Sequence, residues 1–438
     1  MDSYGARSVA VIGSGVAGLT AAYVLSGRDR VTLYEADARL GGHAHTHFVR
    51  DGDDGDGARG NLIGVDSAFL VHNDRTYPTL CRLFTELGVA TQESEMSMSV
   101  RADDIGLEYA GALGIRGLFA CRQSLRPRYL LMLAEIIRFH SAASRLLQDS
   151  AQDNLETLEA FLERHRFSPY FVDYFITPLV AAVWSCAGDD ALRYPARYLF
   201  VFLAHHGMLS VFGSPKWRTV TGGSANYVRA IASRLDEVAT GTPVHSLRRL
   251  PDGVQVRAGR NPPRLFDAAV IAVHPDQALL LLDEATSWER AVLGAIPYST
   301  NRAQLHTDTS VLPRHRRARA SWNYLVTPET DQVVVSYDVS RLMRLGGKRR
   351  YLVTLGGRDR IDPGSVIAEM TYSHPLYTSK SVAAQAKLAT LDDDRVVFAG
   401  AYHGWGFHED GAASGLRAAR RLGADWPTAT RQEALAPC

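Results

Sequence analysis

The residues "SVAVIGSGVAGLTAAYVLSGRDRVTLYEA" (8–36) constrain the fold more than any other stretch of this chain. An apolar run ends at Gly13, and Gly15 and Gly18 follow at the spacing G-x-G-x-x-G. A helical segment then runs to Gly27, and a second apolar run reaches Glu35. Strand, glycine turn, helix, strand and terminal acid form a βαβ dinucleotide-binding unit. Gly13 permits the tight turn, Gly15 lets a pyrophosphate approach the backbone, and Gly18 lets helix and strand pack closely. The helix start, at Val16 and Ala17, offers unpaired N–H groups to phosphate. Glu35, with Ala36 beside it, suits a ribose diol and disfavours a 2′-phosphate.

A chain of 438 residues suggests more than one domain around that unit. Lys+Arg 48 against Asp+Glu 47 leaves a formal charge of +1, which argues against nucleic acid as a partner. The four cysteines lack CxxC pairing, so neither a disulfide scaffold nor a zinc knuckle is expected, and a cytoplasmic, reducing setting is. No uncharged apolar run reaches the ~18 residues of a membrane span. Residues from about Tyr77 to Gly213 read as largely helical. The stretches 128–147 and 198–213 are apolar enough to be mostly buried. Residues 241–275 and 300–375 read as strands and turns, and 395–422 as strand, loop and helix. "DGDDGDGARG" (51–60) reads as a solvated loop. Leu62 stands where a calcium loop needs its closing Glu.

Three histidines, His43, His45 and His47, alternate after Gly41-Gly42 and would share one face of a strand. They read as part of a cofactor loop in preference to a metal site. "EADARLGGHAHT" (35–46) resembles the E-x-x-x-R-x-G-G segment of the flavin-containing amine oxidase superfamily. That group includes monoamine oxidases, phytoene desaturases and protoporphyrinogen oxidases. "FAGAYHGWGFHEDGAASGLRAA" (398–419) resembles its closing flavin motif, with Asp410 in place of the usual glycine. The resemblance implies a Rossmann-type FAD domain interleaved with an α+β substrate domain. Its segments would be 1–75, 215–285 and 390–425 for FAD, 76–214 (mainly helical) and 286–389 (sheet) for substrate, and a tail at 426–438. It implies noncovalent FAD, held additionally by Arg39, Gly41, Gly42, His43, Ala68, Phe69, Val244, Gly400, Ala401, His408, Glu409 and Asp410. No metal is expected.

None of the four lysines sits in a context suited to amine oxidation, and Phe407 replaces an expected aromatic Tyr. Stretches such as "NDRTYP", "WRTVTGGS", "QLHTD" and "GFHEDG" resemble a bacterial subgroup often encoded beside cyclopropane-fatty-acyl-phospholipid synthases. That resemblance implies removal of hydride from a modified lipid acyl chain, with peripheral membrane contact and a lipid methyltransferase as expected partners. An oxidase of amines or another small molecule, and a noncatalytic flavoprotein partner, are the alternatives. A base is needed for the second proton, and His403 and His408 are the candidates, with Tyr337 a third catalytic candidate on the substrate side. Tyr372 and His374 are placed on the substrate side.

Overall fold

The computed structural model describes residues 6–51, 61–149, 156–209, 214–327 and 333–426. Most of the acidic loop 51–60, part of the apolar stretch 198–213 and nearly all of the tail therefore lie outside the described residues.

A five-stranded parallel sheet organises the cofactor side. Its order is Glu237–Ala239, Arg30–Tyr34, Ser8–Ile12, Ala268–Ile271 and Val396–Phe398. The strands are near-continuous apolar runs because both faces are covered. Val9, Val11, Leu33 and Val270 face a helical layer. Ala10, Ile12, Ala269 and Phe398 face the opposite core, which is roofed by an antiparallel sheet of Val244–Leu250, Gly253–Ala258 and Arg264–Phe266.

The second large sheet has seven strands, ordered Val366–Pro375, Tyr298–His306, Leu352–Leu355, Val334–Asp338, Trp322–Val326, Met98–Ala102 and Leu107–Ala110. Its last two strands correct the reading of 77–213 as a largely helical block. Met98–Ala102 pairs parallel with Trp322–Val326, a partner more than two hundred residues away that local periodicity does not reveal. The helices Pro127–Gln148 and Ala196–His205 do form where the apolar stretches stand. Phe139, Phe161, Phe171 and Phe200 interlock there as edge-to-face and tilted rings.

The chain's two ends meet where helix His408–Arg421 packs on helix Val16–Leu25. A Cβ at Gly415 would collide with the Ala17 carbonyl and sit 3.1 Å from Ala21 N. A Cβ at Gly411 would lie 2.6 Å from Val16 Cγ1. Ser414 Oγ donates to Gly411 O (2.8 Å) and accepts from Gly400 N (2.9 Å), tying the helix to the end of the last parallel strand. The small residues of the closing motif are thus explained by backbone approach.

Gly415→Val is expected to destabilise the chain by about 3 kcal/mol, the upper end for overpacking, because the obstacle is backbone. Denaturant midpoints check this. Arg421→Ala, which breaks the surface pair with Asp394, should cost under about 1 kcal/mol.

Candidate flavin site

The glycine turn converges with the segments around Glu35, Arg39 and Val244 at the carboxyl ends of the parallel strands. Gly13 has φ +99°, and a Cβ there would lie 2.6 Å from Ala272 O. A Cβ at Gly18 would collide with Gly13 O, so this residue closes strand against helix. Gly15 differs: a Cβ there would meet nothing within 4 Å. Helix Val16–Leu25 begins at this open position with no side-chain cap and no acid in its first turn, leaving its N–H groups free for an anion.

Glu35 accepts from Ser14 N (2.9 Å) and Asp37 N (2.9 Å), with the Ser14 hydroxyl also donating to it. Ser14 Oγ accepts from Gly41 N at 3.0 Å. Ser14 therefore joins the glycine turn, the acid and the arginine–glycine loop. Sequence reasoning missed it, since the middle residue of G-x-G has no fixed identity. Thr242 N donates to Glu35 O (2.8 Å) and Gly241 N to Asp37 O (2.8 Å), which brings the start of the Val244 strand beside Glu35 and exposed Ala36. Arg39 reaches back to the Leu40 and Ala44 carbonyls, at 3.3 and 3.4 Å.

Beyond the arginine loop the side chains change character. Phe69 N donates to His43 O (3.0 Å), and Phe69 stacks on His408 with centroids 3.9 Å apart. His43 lies 5.0 Å from the Tyr372 ring and 5.3 Å from His374, and its buried Nε2 has no partner. The three alternating histidines do not share one face. The strand starts only at Thr46, so His43 turns inward, while His45 and His47 stack with centroids 4.0 Å apart. Tyr372 OH contacts His45 Nδ1 (2.9 Å) and Ser67 Oγ (2.7 Å), and His47 Nε2 contacts the same Ser67 (2.9 Å).

The three catalytic candidates are separated. His408 keeps company with Phe69, and its Nε2 lies 3.3 Å from Tyr227 OH. His403 instead sits against Tyr402 and 3.4 Å from Arg417 Nη2, with its Nε2 unpartnered. Tyr337 packs on Trp322, three strands across from Tyr372 and four residues out of register with it. Glu409 accepts from Thr79 N (3.0 Å) and Leu80 N (2.9 Å), at the start of helix Pro78–Leu87. Its carboxylate serves that helix, leaving its backbone for a cofactor. Asp410 turns back to accept from Phe407 N at 2.9 Å, and burial raises its pKa to about 7.

Burial also fixes the protonation of the histidines. Desolvation holds His408 down to about 3 and His374 to about 4, with smaller repulsion from neighbouring histidines, and lowers His43 strongly. All three are neutral at pH 7.

The family profile described as flavin-containing amine oxidoreductase matches residues 16–361 and 364–423. The chain belongs to this family. No curated protein matches the sequence. Among solved structures, a fatty acid isomerase from P. acnes that produces CLA superposes with TM-score 0.69 at 16% identity, over 97% of this chain and 100% of that one. Cyclohexylamine oxidase from Brevibacterium oxydans gives TM-score 0.65 at 18% identity, over 95% and 99%. A putrescine oxidase redesigned in its cofactor binding gives 0.66 at 15%, over 95% and 98%. The chain is an FAD-dependent oxidoreductase, and the open cradle at Gly15, the uncapped helix start and Glu35 fit the dinucleotide.

Gly15→Glu is expected to leave folded protein without flavin, because the open position tolerates a side chain but its carboxylate faces the pyrophosphate. Absorbance near the flavin band, read beside an unfolding midpoint, checks this. A second expectation concerns acid. His72, His206, His306, His374, His403 and His408 are all held to about 3 or 4, so between there and their ordinary 6.5 the unfolded chain binds more protons. Their stabilisation is complete above about 6.5 and is lost as pH falls. Asp66, raised to about 6, and Asp410, raised to about 7, act in the opposite direction but are fewer. Thermal midpoints should therefore fall steeply between pH 7 and pH 5.

Proposed function

We propose that this FAD-dependent oxidoreductase removes hydride from an uncharged lipid acyl chain. One observation carries the reading: each carboxylate buried around the site is already engaged. Asp66 accepts from Ser224 N (2.9 and 3.0 Å) and Ser224 Oγ (2.8 Å), Glu409 from Thr79 and Leu80, and Asp410 from Phe407. Beside them lie the neutral His43, His374 and His408 and several aromatic rings. Phe202 stacks on Phe407 with centroids 5.0 Å apart, and Trp184 and Trp405 close around them. Such a wall gives an ammonium group no anionic partner and accommodates a chain of CH₂ groups by apolar burial. The P. acnes fatty acid isomerase shares the fold and supplies a precedent for acyl chains on it.

FAD, when bound, accepts the hydride. The chain's own residues orient the substrate, exclude water and take the remaining proton. His408, stacked in place by Phe69 with its Nε2 3.3 Å from Tyr227 OH, is the imidazole proposed to take that proton. His403 lies against Arg417 and Tyr402, where it positions the closing loop.

Anaerobic titration of the yellow holoenzyme tests the reading. Phospholipids bearing methyl-branched acyl chains should bleach the flavin, and alkylamines should leave it oxidised. Bleaching by amines alone would hand the site to amine oxidation, while a stable complex with a lipid methyltransferase and no bleaching would make the protein a noncatalytic partner. His408→Leu should retain flavin and slow lipid-driven reduction on the order of a hundredfold or more in rapid mixing.

A further inference from the structure

Helix Pro127–Gln148 is apolar on two sides, and only one of them is covered. Tyr129, Met132 and Phe139 point into the helical core and are fully buried. On the other side Leu130, Leu131 and Ile137 remain 46%, 55% and 66% exposed. The expectation that this stretch is mostly buried therefore holds for one face alone. Immediately before the helix, Ile115 is 77% exposed and Leu125 67%, with Phe119 beside them. Scattered exposed leucines need no explanation, but a run of this density within about two dozen residues does.

The charge in the same stretch has one sign. Arg116, Arg122, Arg126 and Arg128 are all exposed, and no Asp or Glu occurs between Glu108 and Glu135. Among the described residues none of the four arginines has a carboxylate within ion-pair distance. The flanking acids are engaged: Glu108 accepts from Arg314 N and His315 N (2.9 and 2.8 Å), and Glu135 from Ser168 N (2.9 Å) and Arg138 (3.0 Å). The chain as a whole carries a charge of only +1, so this local excess is a property of the patch.

We propose that residues 111–137 form a monotopic docking surface for an anionic phospholipid bilayer. In this arrangement the helix lies in the interface plane, Leu130, Leu131 and Ile137 enter the acyl boundary, and the arginines meet lipid phosphates. An aqueous protein partner would match the apolar face but gives no reason for four unpaired arginines around it. Among the described residues no helix is long and apolar enough to cross a membrane, so attachment is to one leaflet.

Co-sedimentation of the full-length holoenzyme with vesicles tests the surface independently of catalysis, provided the lipids carry unbranched saturated chains that do not bleach the flavin. Binding is expected to vesicles containing phosphatidylglycerol and not to pure phosphatidylcholine, and to weaken with salt. Replacing the four arginines by Gln should lower partitioning on the order of a hundredfold or more, with flavin content unchanged. The double variant L131S/I137S should bind at low salt and be stripped at moderate salt. Equal binding to both vesicle types, or wild-type partitioning in both variants, would overturn the proposal. So would a concentration-dependent doubling of mass in light scattering that L131S/I137S abolishes, since a second copy would then cover the face.

Discussion

The contact between the first and last helices determines whether this molecule has a cofactor site. Gly415 and Gly411 let helix His408–Arg421 approach helix Val16–Leu25 at backbone distance, and Ser414 fixes the junction to Gly400. That approach sets two helix starts side by side, one behind the glycine turn and one behind the aromatic closing loop. The first presents free backbone N–H groups and a partial positive charge that favours an anionic pyrophosphate, whereas at the second Asp410 already takes Phe407 N and two acids stand in the first turn. Ser14 extends the same construction sideways by joining Glu35 to Gly41.

Around this polar frame the substrate side is built from groups kept uncharged by burial. Neutral imidazoles need less solvation than charged groups, so several can share a dry volume with phenylalanine and tryptophan. The carboxylates that do enter are each held by backbone N–H donors, as Glu409 is by Thr79 and Leu80. On the proposed function, a site so arranged selects by shape and apolar contact more than by charge.

The glycine turn, the helix after it, Glu35 and the serine–glycine pair of the closing motif were legible in the sequence because each answers a local backbone demand. The fold class followed from them. What was not legible depends on distant pairing or on side-chain direction. Met98–Ala102 becomes a strand through Trp322–Val326, and nothing within its own neighbourhood specifies that partner. His403 and His408 are five residues apart and looked equivalent, yet the helix begins between them and sends one to Arg417 and the other to Phe69. In helix Pro127–Gln148 the apolar count was evident, but which leucines lack a neighbour depends on the tertiary packing.

The strand order of the parallel sheet carries a consequence for how the protein is made. Its middle strand, Ser8–Ile12, is separated from one neighbour, Ala268–Ile271, by some 250 residues, and that neighbour pairs in turn with Val396–Phe398, more than a hundred residues further on. Pairings of such long sequence separation form slowly, because the loop between them must be closed before any contact rewards it. Until then Val9 and Val11 have no complete layer to enter, and the nascent chain holds an apolar strand without its final partner. The sheet that carries the dinucleotide cradle is therefore complete only when strands separated by most of the described residues have paired, so retention of the cofactor reports on the most non-local contacts of the fold.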